Sequence, residues 1–478
     1  HSVEERERLI EQLDRGEINY IFTVDIFNEG IDIPKINQVI LLRNTESSII
    51  FIQQLGRGLR KDPSKEFVTI IDFIGNYKNN YMIPMSLSGD ITRNKNNLRQ
   101  KTFETNYISG VSSINFESIA KERIFQSIDR AKMDSMVELR RIYQEVKNRL
   151  NRIPYLFDFQ EQGVLDPLVL ANKFEHYHEF LTKIKETARV LTANEGQLLK
   201  FFGRELLPGY RQHELLLIHQ MIHGKVDFMH EELVELFTGY DLAYDQATID
   251  SVFATLSLSF YVGGQRKSYA GGAFLTQEGE IRTITNGLRQ ALNNPYFVEL
   301  LKDSLAVAFE KSKAYRTDMP LTRYKKYRRR DTIRLLNWKE QMVDQNIGGY
   351  TYKDGKFVVF VTLKKDEDFK GALMAYEDEL LDAQTLHYFT KSPRTIHSPE
   401  VKILQNPIDW NIYVFAQKSN DEGTDFYYLG EVRPVIETIK QVEKPTKDGK
   451  KQSVVQMNLS FTEPIDHRLF QYLSSTED

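Results

Sequence analysis

Two arginines three residues apart, Arg57 and Arg60, follow a glycine in the run Gln53-Gln-Leu-Gly-Arg-Gly-Leu-Arg60. Each guanidinium presents a rigid fork of donors and keeps its charge. A pair leaving the turn at Gly56 therefore suits a polyphosphate and can follow negative charge as it shifts. In phosphoryl transfer such arginines act as fingers, worth roughly 10³ to 10⁵ in rate. A second stretch just upstream, Thr23-Val-Asp-Ile-Phe-Asn-Glu-Gly-Ile-Asp-Ile-Pro34, makes chemical sense beside the first.

Something must hold these residues in place, and the neighbouring sequence supplies it. Residues 20–24, 38–42 and 67–71 are short, β-rich apolar runs of the kind found in strands buried on both faces of a parallel sheet. Between the last two lies a helix candidate over 48–55, with Ser47 or Ser48 to cap it and Gly56 to end it. A further helix is expected over 3–13. The layout reads as repeated βαβ, an α/β parallel-sheet arrangement.

At these residues the chain resembles superfamily 2 helicases. Gln-x-x-Gly-Arg-x-x-Arg, from Gln53 to Arg60, is similar to their motif VI, and Gly30-Ile-Asp32 to their motif V. The resemblance implies that Arg57 and Arg60 face the ATP phosphates and that Gln53 and Gly56 shape that end of the nucleotide site. It further implies that Gly30 lets the backbone turn closely, and that Asp32 contacts the ribose or couples ATP to nucleic acid. In many relatives a Thr stands immediately before the motif V Asp, whereas Val24 precedes Asp25 here and Thr23, the nucleic-acid contact of that motif, sits one residue early.

The other half of an ATP site is not legible. Gly349-Tyr-Thr-Tyr-Lys-Asp-Gly-Lys356 has one residue too many between its glycines for a phosphate loop, and Phe357 stands where Ser or Thr should reach magnesium. It reads as strand, Asp354-Gly355 turn, strand. Lys365-Asp-Glu-Asp-Phe369 reads as a solvated turn. The expectation is a partial second motor domain over 1–80. Its ATP would be held with Mg²⁺ bound mainly by an upstream first motor domain, and residues 1–478 alone would be inactive.

Composition narrows the rest. The 478 residues, 41% hydrophobic, can form three or four domains. A formal net charge of −4 gives no global nucleic-acid signature, so any such surface is a local patch. With no cysteine there is no disulfide, thiolate metal site or cysteine nucleophile. No apolar run is long enough to span a bilayer, which suggests a cytoplasmic protein without membrane partners.

Residues 76–100, rich in Asn, Lys and Arg, read as a linker whose Arg93, Lys95 and Arg99 are either a solvated face or a nucleic-acid contact. From 116 to 150 the apolar period is helical, and Asn151-Arg-Ile-Pro154 stops it. Residues 81–207 form a helical linker and accessory domain. Over 208–320, helices at 212–223, 230–237 and 246–255 precede apparent strands at 256–262 and 272–276 joined at Gly263-Gly264, the order of a winged helix. The third helix carries no basic residue, so groove reading by it is disfavoured, while Arg266 and Lys267 in the expected wing could hold a phosphate. His219 and His223 lie one turn apart without a third ligand, and no metal is expected.

The densest basic cluster, Arg323-Tyr-Lys-Lys-Tyr-Arg-Arg-Arg330, interleaves Tyr324 and Tyr327 with cations. It is either a nucleic-acid surface, through Arg323, Lys325, Lys326 and Arg328, or a basic helix with a buried end. Strand-period runs at 356–363, 410–415, 426–430 and 454–461 make 321–478 a basic helix followed by a β-rich domain. In that β-rich domain Thr362 replaces the carboxylate a restriction-type nuclease would need for its metal. With Asn346-Ile-Gly-Gly-Tyr350 and Phe426-Tyr-Tyr-Leu-Gly430, residues 81–478 resemble the uncharacterised C-terminal region that bacterial proteins join to such helicases, often beside a phospholipase D-like nuclease. The combined expectation is the C-terminal part of a bacterial ATP-dependent DNA helicase or translocase. The alternative is a non-hydrolysing nucleic-acid recognition module of a restriction or phage-defence system.

Overall fold

The computed structural model describes residues 3–22, 35–42, 62–63, 65–73, 80–103, 113–279, 281–342, 347–364, 378–419, 422–445 and 451–474. The chain divides into two compact units, one of residues 1–142 with 163–165, the other of 143–162 with 166–478.

In the first unit, helix α1 (Val3–Asp14) opens with Glu4 and Glu5, which suit the positive end of its dipole. Strands β1 (Gln38–Leu41) and β2 (Thr69–Asp72) pair in parallel, with Val39 opposite Ile70 and Leu41 opposite Asp72. Val39, Leu41 and Ile70 are half-buried, while Ile40 and Ile71 on the opposite face are 47% and 37% exposed. Residues 20–22 are not strand, and Tyr20 and Phe22 stand in solvent, so the first expected strand lacks the cover its composition needs. Residues 23–24 and the helix expected over 48–55 lie outside the described residues.

The stretch read as a linker is folded. Helices α2 (Met82–Ser88) and α3 (Lys95–Phe103) place Met82, Ile83, Met85 and Leu98 in a core with Phe116, Ile124, Ile128 and Met133, against which Leu41 and Ile70 pack. A few apolar residues at the right spacing suffice to order a polar segment once partners exist. The helical period over 116–150 forms two helices, α4 (Ser118–Arg130) and α5 (Met136–Leu150), because Ala131 turns extended after α4. Asn151, at φ +52°, ends α5 in the left-handed region, as its sequence suggests.

The second unit begins with α6 (Leu156–Glu161), α7 (Pro167–Lys173), α8 (Tyr177–Lys183) and α9 (Ala193–Phe201), which runs into a π turn, Phe202–Leu206. Then come α10 (Gln212–Ile222), β3 (Asp227–Phe228), α11 (His230–Gly239), α12 (Gln246–Leu256), α13 (Gly263–Ser268), β4 (Leu275–Glu278), β5 (Ile281–Ile284), α14 (Asn286–Ala291) and α15 (Pro295–Ser312). The three strands form an antiparallel sheet in the order β3-β5-β4.

The hairpin therefore exists but not where the sequence placed it. Residues 257–262 leave α12 through Leu258 at φ +63°, Phe260 and Tyr261 are fully buried, and Gly263-Gly264 begin a helix. The alternation at Leu256, Leu258 and Phe260 is satisfied by the helical core without a partner strand. The true turn follows β4, at Gly279.

The remainder is β6 (Lys326–Arg328), α16 (Arg329–Leu335), β7 (Tyr350–Lys353), β8 (Lys356–Lys364), β9 (Glu379–Asp382), β10 (Thr385–Phe389), α17 (Pro399–Gln405), β11 (Asn411–Ser419), β12 (Asp425–Pro445), β13 (Lys451–Phe461) and α18 (His467–Ser474). Its sheet runs β7-β8-β11-β12-β13-β10-β9, with β6 added to β12 and β8 parallel to β11. Phe357, Val359, Ile412, Val414, Leu429, Met457 and Leu459 fill its core. The Asp354-Gly355 turn joins β7 to β8 with both residues at positive φ, the two-residue hairpin geometry that Asp-Gly favours. Among the described residues, no helix is long and apolar enough to cross a membrane.

Candidate nucleotide and nucleic-acid surfaces

Gln53, Gly56, Arg57, Arg60, Gly30, Asp32 and Thr23 lie outside the described residues, as do residues 365–369. The structure describes the elements around them. Adjacent parallel strands can be joined only by a crossover, and the connection from β1 to β2 is the segment that contains Gln53 to Arg60. Two lysines fasten its surroundings. Lys35 Nζ donates to the Asp14 carbonyl at 3.1 Å and carboxylate at 3.2 Å, and Lys65 Nζ donates to the Ile36 carbonyl at 2.8 Å. The basic residues that follow are occupied within the unit: Arg93 pairs with Glu138 at 3.1 Å, Arg99 with Asp129, and Lys95 donates to the Asp129 carbonyl at 2.6 Å. Burial alone would raise the Glu138 carboxyl, but Arg141 and Arg93 outweigh it and hold it below its usual value.

The basic cluster at 323–334 is built inward. Arg323 donates to the carbonyls of Leu429, Glu463 and Pro464 at 2.9–3.0 Å and to the Glu463 carboxylate. Lys326 lies over the Tyr427 ring at 4.4 Å, and Lys325 is half-buried beside it. Arg328 reaches Asp331 at 2.6 Å and the Arg204 carbonyl at 3.2 Å. Arg330 reaches Glu205 at 2.7 Å, and Arg334, 2% exposed, reaches Glu214 at 3.2 Å. Arg211 forks onto Glu214 with Nε 3.0 Å from each carboxylate oxygen.

Three buried carboxylates on the π turn, α10 and α16 thus meet four arginines. Burial would raise Glu214 and Asp331. Arg211 and Arg334 hold Glu214 below its usual range instead, and Arg328, Arg334 and Arg330 do the same for Asp331. The aromatic interleaving serves packing as well: Tyr327 is 1% exposed, and the Tyr324 hydroxyl accepts from Asp466 N at 3.1 Å. Sequence reasoning missed Glu205, Glu214 and Asp331: the first two lie more than a hundred residues upstream of Arg330 and Arg334, and Asp331 sits within the basic run, where its neighbours mask it.

Residues 1–62 match the helicase conserved C-terminal domain, 139–317 a domain of unknown function (DUF8090) and 321–473 another (DUF3427). A putative ATP-dependent helicase, IRC3, of Saccharomyces cerevisiae is 44% identical over 71 residues, 15% of this chain and 10% of the relative. The first 62 residues thus carry a helicase conserved C-terminal domain. Putative helicase 22 of a Sulfolobus islandicus filamentous virus is 35% identical over 75 residues, 16% of this chain and 13% of the relative. A 51.5 kDa protein of a Lactococcus phage is 36% identical over 73 residues, 15% of this chain and 16% of the relative. The matched stretches thus span a sixth or less of each relative. A solved structure of the sulfur binding and SRA domains of ScoMcrA with phosphorothioated DNA aligns over 47% of this chain and 82% of that one. Its TM-score of 0.20 and 10% identity are too low to carry a fold.

Arg266 and Lys267 are exposed on the short helix α13, not on a wing. The rings of His219 and His223 are 4.3 Å apart on the solvent face of α10, and His223 Nδ1 donates to the His219 carbonyl at 2.7 Å. Among the described residues no group of three or more His, Asp or Glu side chains is placed to hold a metal.

Proposed function

We propose that the chain is the C-terminal portion of an ATP-dependent DNA helicase or translocase, in which Arg57 and Arg60 meet the γ-phosphate of ATP bound with Mg²⁺ by a first motor domain. The observation that carries this reading is the parallel β1–β2 pair, whose crossover contains the Gly-Arg-x-x-Arg run and whose outer face leaves Ile40 and Ile71 exposed. Parallel sheets are covered on both faces, so such a pair suits a larger α/β motor. The helicase family match over 1–62 supports it. Gln53 and Gly56 complete that end of the site, Gly30 and Asp32 lie on its nucleotide side, and Thr23 faces nucleic acid. Closure around ATP would bring the arginines onto the developing charge, where fixed cations act without reorganisation. The β-rich domain over 321–473 then steers substrate or partner, among them a nuclease, in a cytoplasmic and bacterial setting.

The test is DNA-stimulated ATP turnover by the protein joined to a first motor domain, beside residues 1–478 alone. Turnover only in the longer protein, lost in Arg57→Ala and in Arg60→Ala with the fold intact, is expected. Unchanged turnover in both variants refutes the assignment. Salt-sensitive DNA binding without turnover in either protein would move the function to recognition.

A further inference from the structure

Where α10 begins, the second unit holds a cavity of about 180 Å³ whose lining includes Tyr210, Gln212, His213, Asp245, Tyr315 and Asn337. At ~30 Å³ per water this is room for roughly six waters, or one small ring. Its walls are rich in donors that the protein does not use. The Tyr210 and Tyr315 rings meet edge to face at 5.3 Å, and neither hydroxyl has a hydrogen-bond partner among the described residues. Burial holds both phenols above their usual value, so they are neutral donors. Helix α10, eleven residues long, starts at the same wall without a side-chain cap, since Arg211 at its N-cap has only donors, which go to Glu214, Ser251 and Asn337. Its first N–H groups therefore add donors.

The cavity is not built for an anion. Arg211 is neutralised by Glu214, and Arg316 at the rim is held by Asp318 at 2.8 Å. His213 donates from Nε2 to the Ala243 carbonyl at 2.7 Å, and burial pushes it down to about 4, so it carries no charge near neutral pH. Asp245, which caps α12 through Thr248, adds a negative charge. Leu242, Met319, Pro320 and Leu335 make the remaining wall apolar.

We propose that this cavity binds one uncharged planar ring bearing carbonyl or ring-nitrogen acceptors, the chemistry of a nucleobase. The tyrosine hydroxyls, the Gln212 amide and the start of α10 supply donors to its edge, and the apolar wall packs its face. The site lies wholly in the second unit and needs no ATP, so its failure leaves the motor reading untouched.

The test titrates residues 1–478 with the four ribonucleosides, and with inorganic phosphate as the contrasting probe, followed by ligand-observed NMR and calorimetry. Saturable binding by at least one nucleoside and none by phosphate is expected. Tyr315→Phe, which removes only an unpartnered hydroxyl, should weaken it about tenfold. Ala243→Leu, which fills the wall from an exposed position, should abolish it. Melting temperatures of both variants should match the wild type. Absence of saturable nucleoside binding, binding unaltered in both variants, or binding of phosphate alone overturns the proposal.

Discussion

Replacing Arg334 with methionine separates two roles for the most basic stretch of the chain. The side chain is 2% exposed and lies 3.2 Å from Glu214, 3.6 Å from Asp331 and 3.4 Å from the Glu205 carbonyl. Removing one member of a buried ionic group costs about 3–5 kcal/mol, because the partners stay buried with less compensation. Here Glu214 keeps the Arg211 fork and Asp331 keeps Arg328, which places the cost near the lower end, ~3 kcal/mol, with the methionine filling most of the stem volume. Urea unfolding followed by tryptophan fluorescence reads this directly. Trp338 is 2% exposed, and its backbone N–H donates to the Ile333 carbonyl of α16 at 3.2 Å. A slope near 3 kcal/mol/M would turn the loss into a midpoint shift of roughly 1 M.

The pH dependence has a definite sign. Glu214 and Asp331 are held below their usual values, so their contribution is full above the unfolded value of about 4 and is lost as pH falls through the folded ones. Arg334→Met should flatten that acid limb. Because the side chain faces inward, DNA affinity and its salt dependence should not change. A stability loss under ~1 kcal/mol, or weakened DNA binding at unchanged stability, would refute the reasoning.

Two further outcomes follow from named groups. Charge reversal at Arg266 and Lys267, both exposed on α13, is expected to weaken DNA binding and reduce the salt slope by about 0.9 per lost phosphate contact; an unaltered slope in a salt titration would remove α13 from the interface. Asp303 accepts from Leu156 N at 2.6 Å and Phe157 N at 2.9 Å, and burial outweighs those donors and pushes its carboxyl up to about 7. Its contribution to stability is therefore full below about pH 4 and declines as pH rises through 7, so Asp303→Asn should flatten the melting-temperature profile between those values. An identical profile in the variant would show that the slope comes from elsewhere.

Local signals were legible where they were self-sufficient. The Asp354-Gly355 hairpin, the starts of α11 and α12 and the stop at Asn151 each depend on a few adjacent residues, and each falls where the sequence places it. β1 and β2 fall within a residue or two of their apolar runs. What failed depended on distant partners. Leu256 to Phe260 alternate like a strand, yet α12 and the core around Phe260 decide the conformation. Residues 76–100 read as a linker, yet Met82, Ile83, Met85 and Leu98 find Phe116, Ile124 and Ile128.

At the basic cluster the sequence leaves two readings open, because composition states how much charge a segment carries and not what it faces. Arg323 to Arg334 have the density and aromatic interleaving of a nucleic-acid surface, yet most of their donors meet Glu205, Glu214, Asp331, Glu463 and main-chain carbonyls. The same contacts tie α9's π turn, α10 and α16 together across the boundary between the two domains of unknown function at 317–321. An arginine forked onto a buried carboxylate cannot release it to take a phosphate without leaving that carboxylate uncompensated, at a cost of about 3–5 kcal/mol. That exceeds what one solvent-exposed phosphate contact returns. Nucleic-acid binding by this part of the chain must therefore draw on cations outside the buried knot, with the exposed pair on α13 the first to examine.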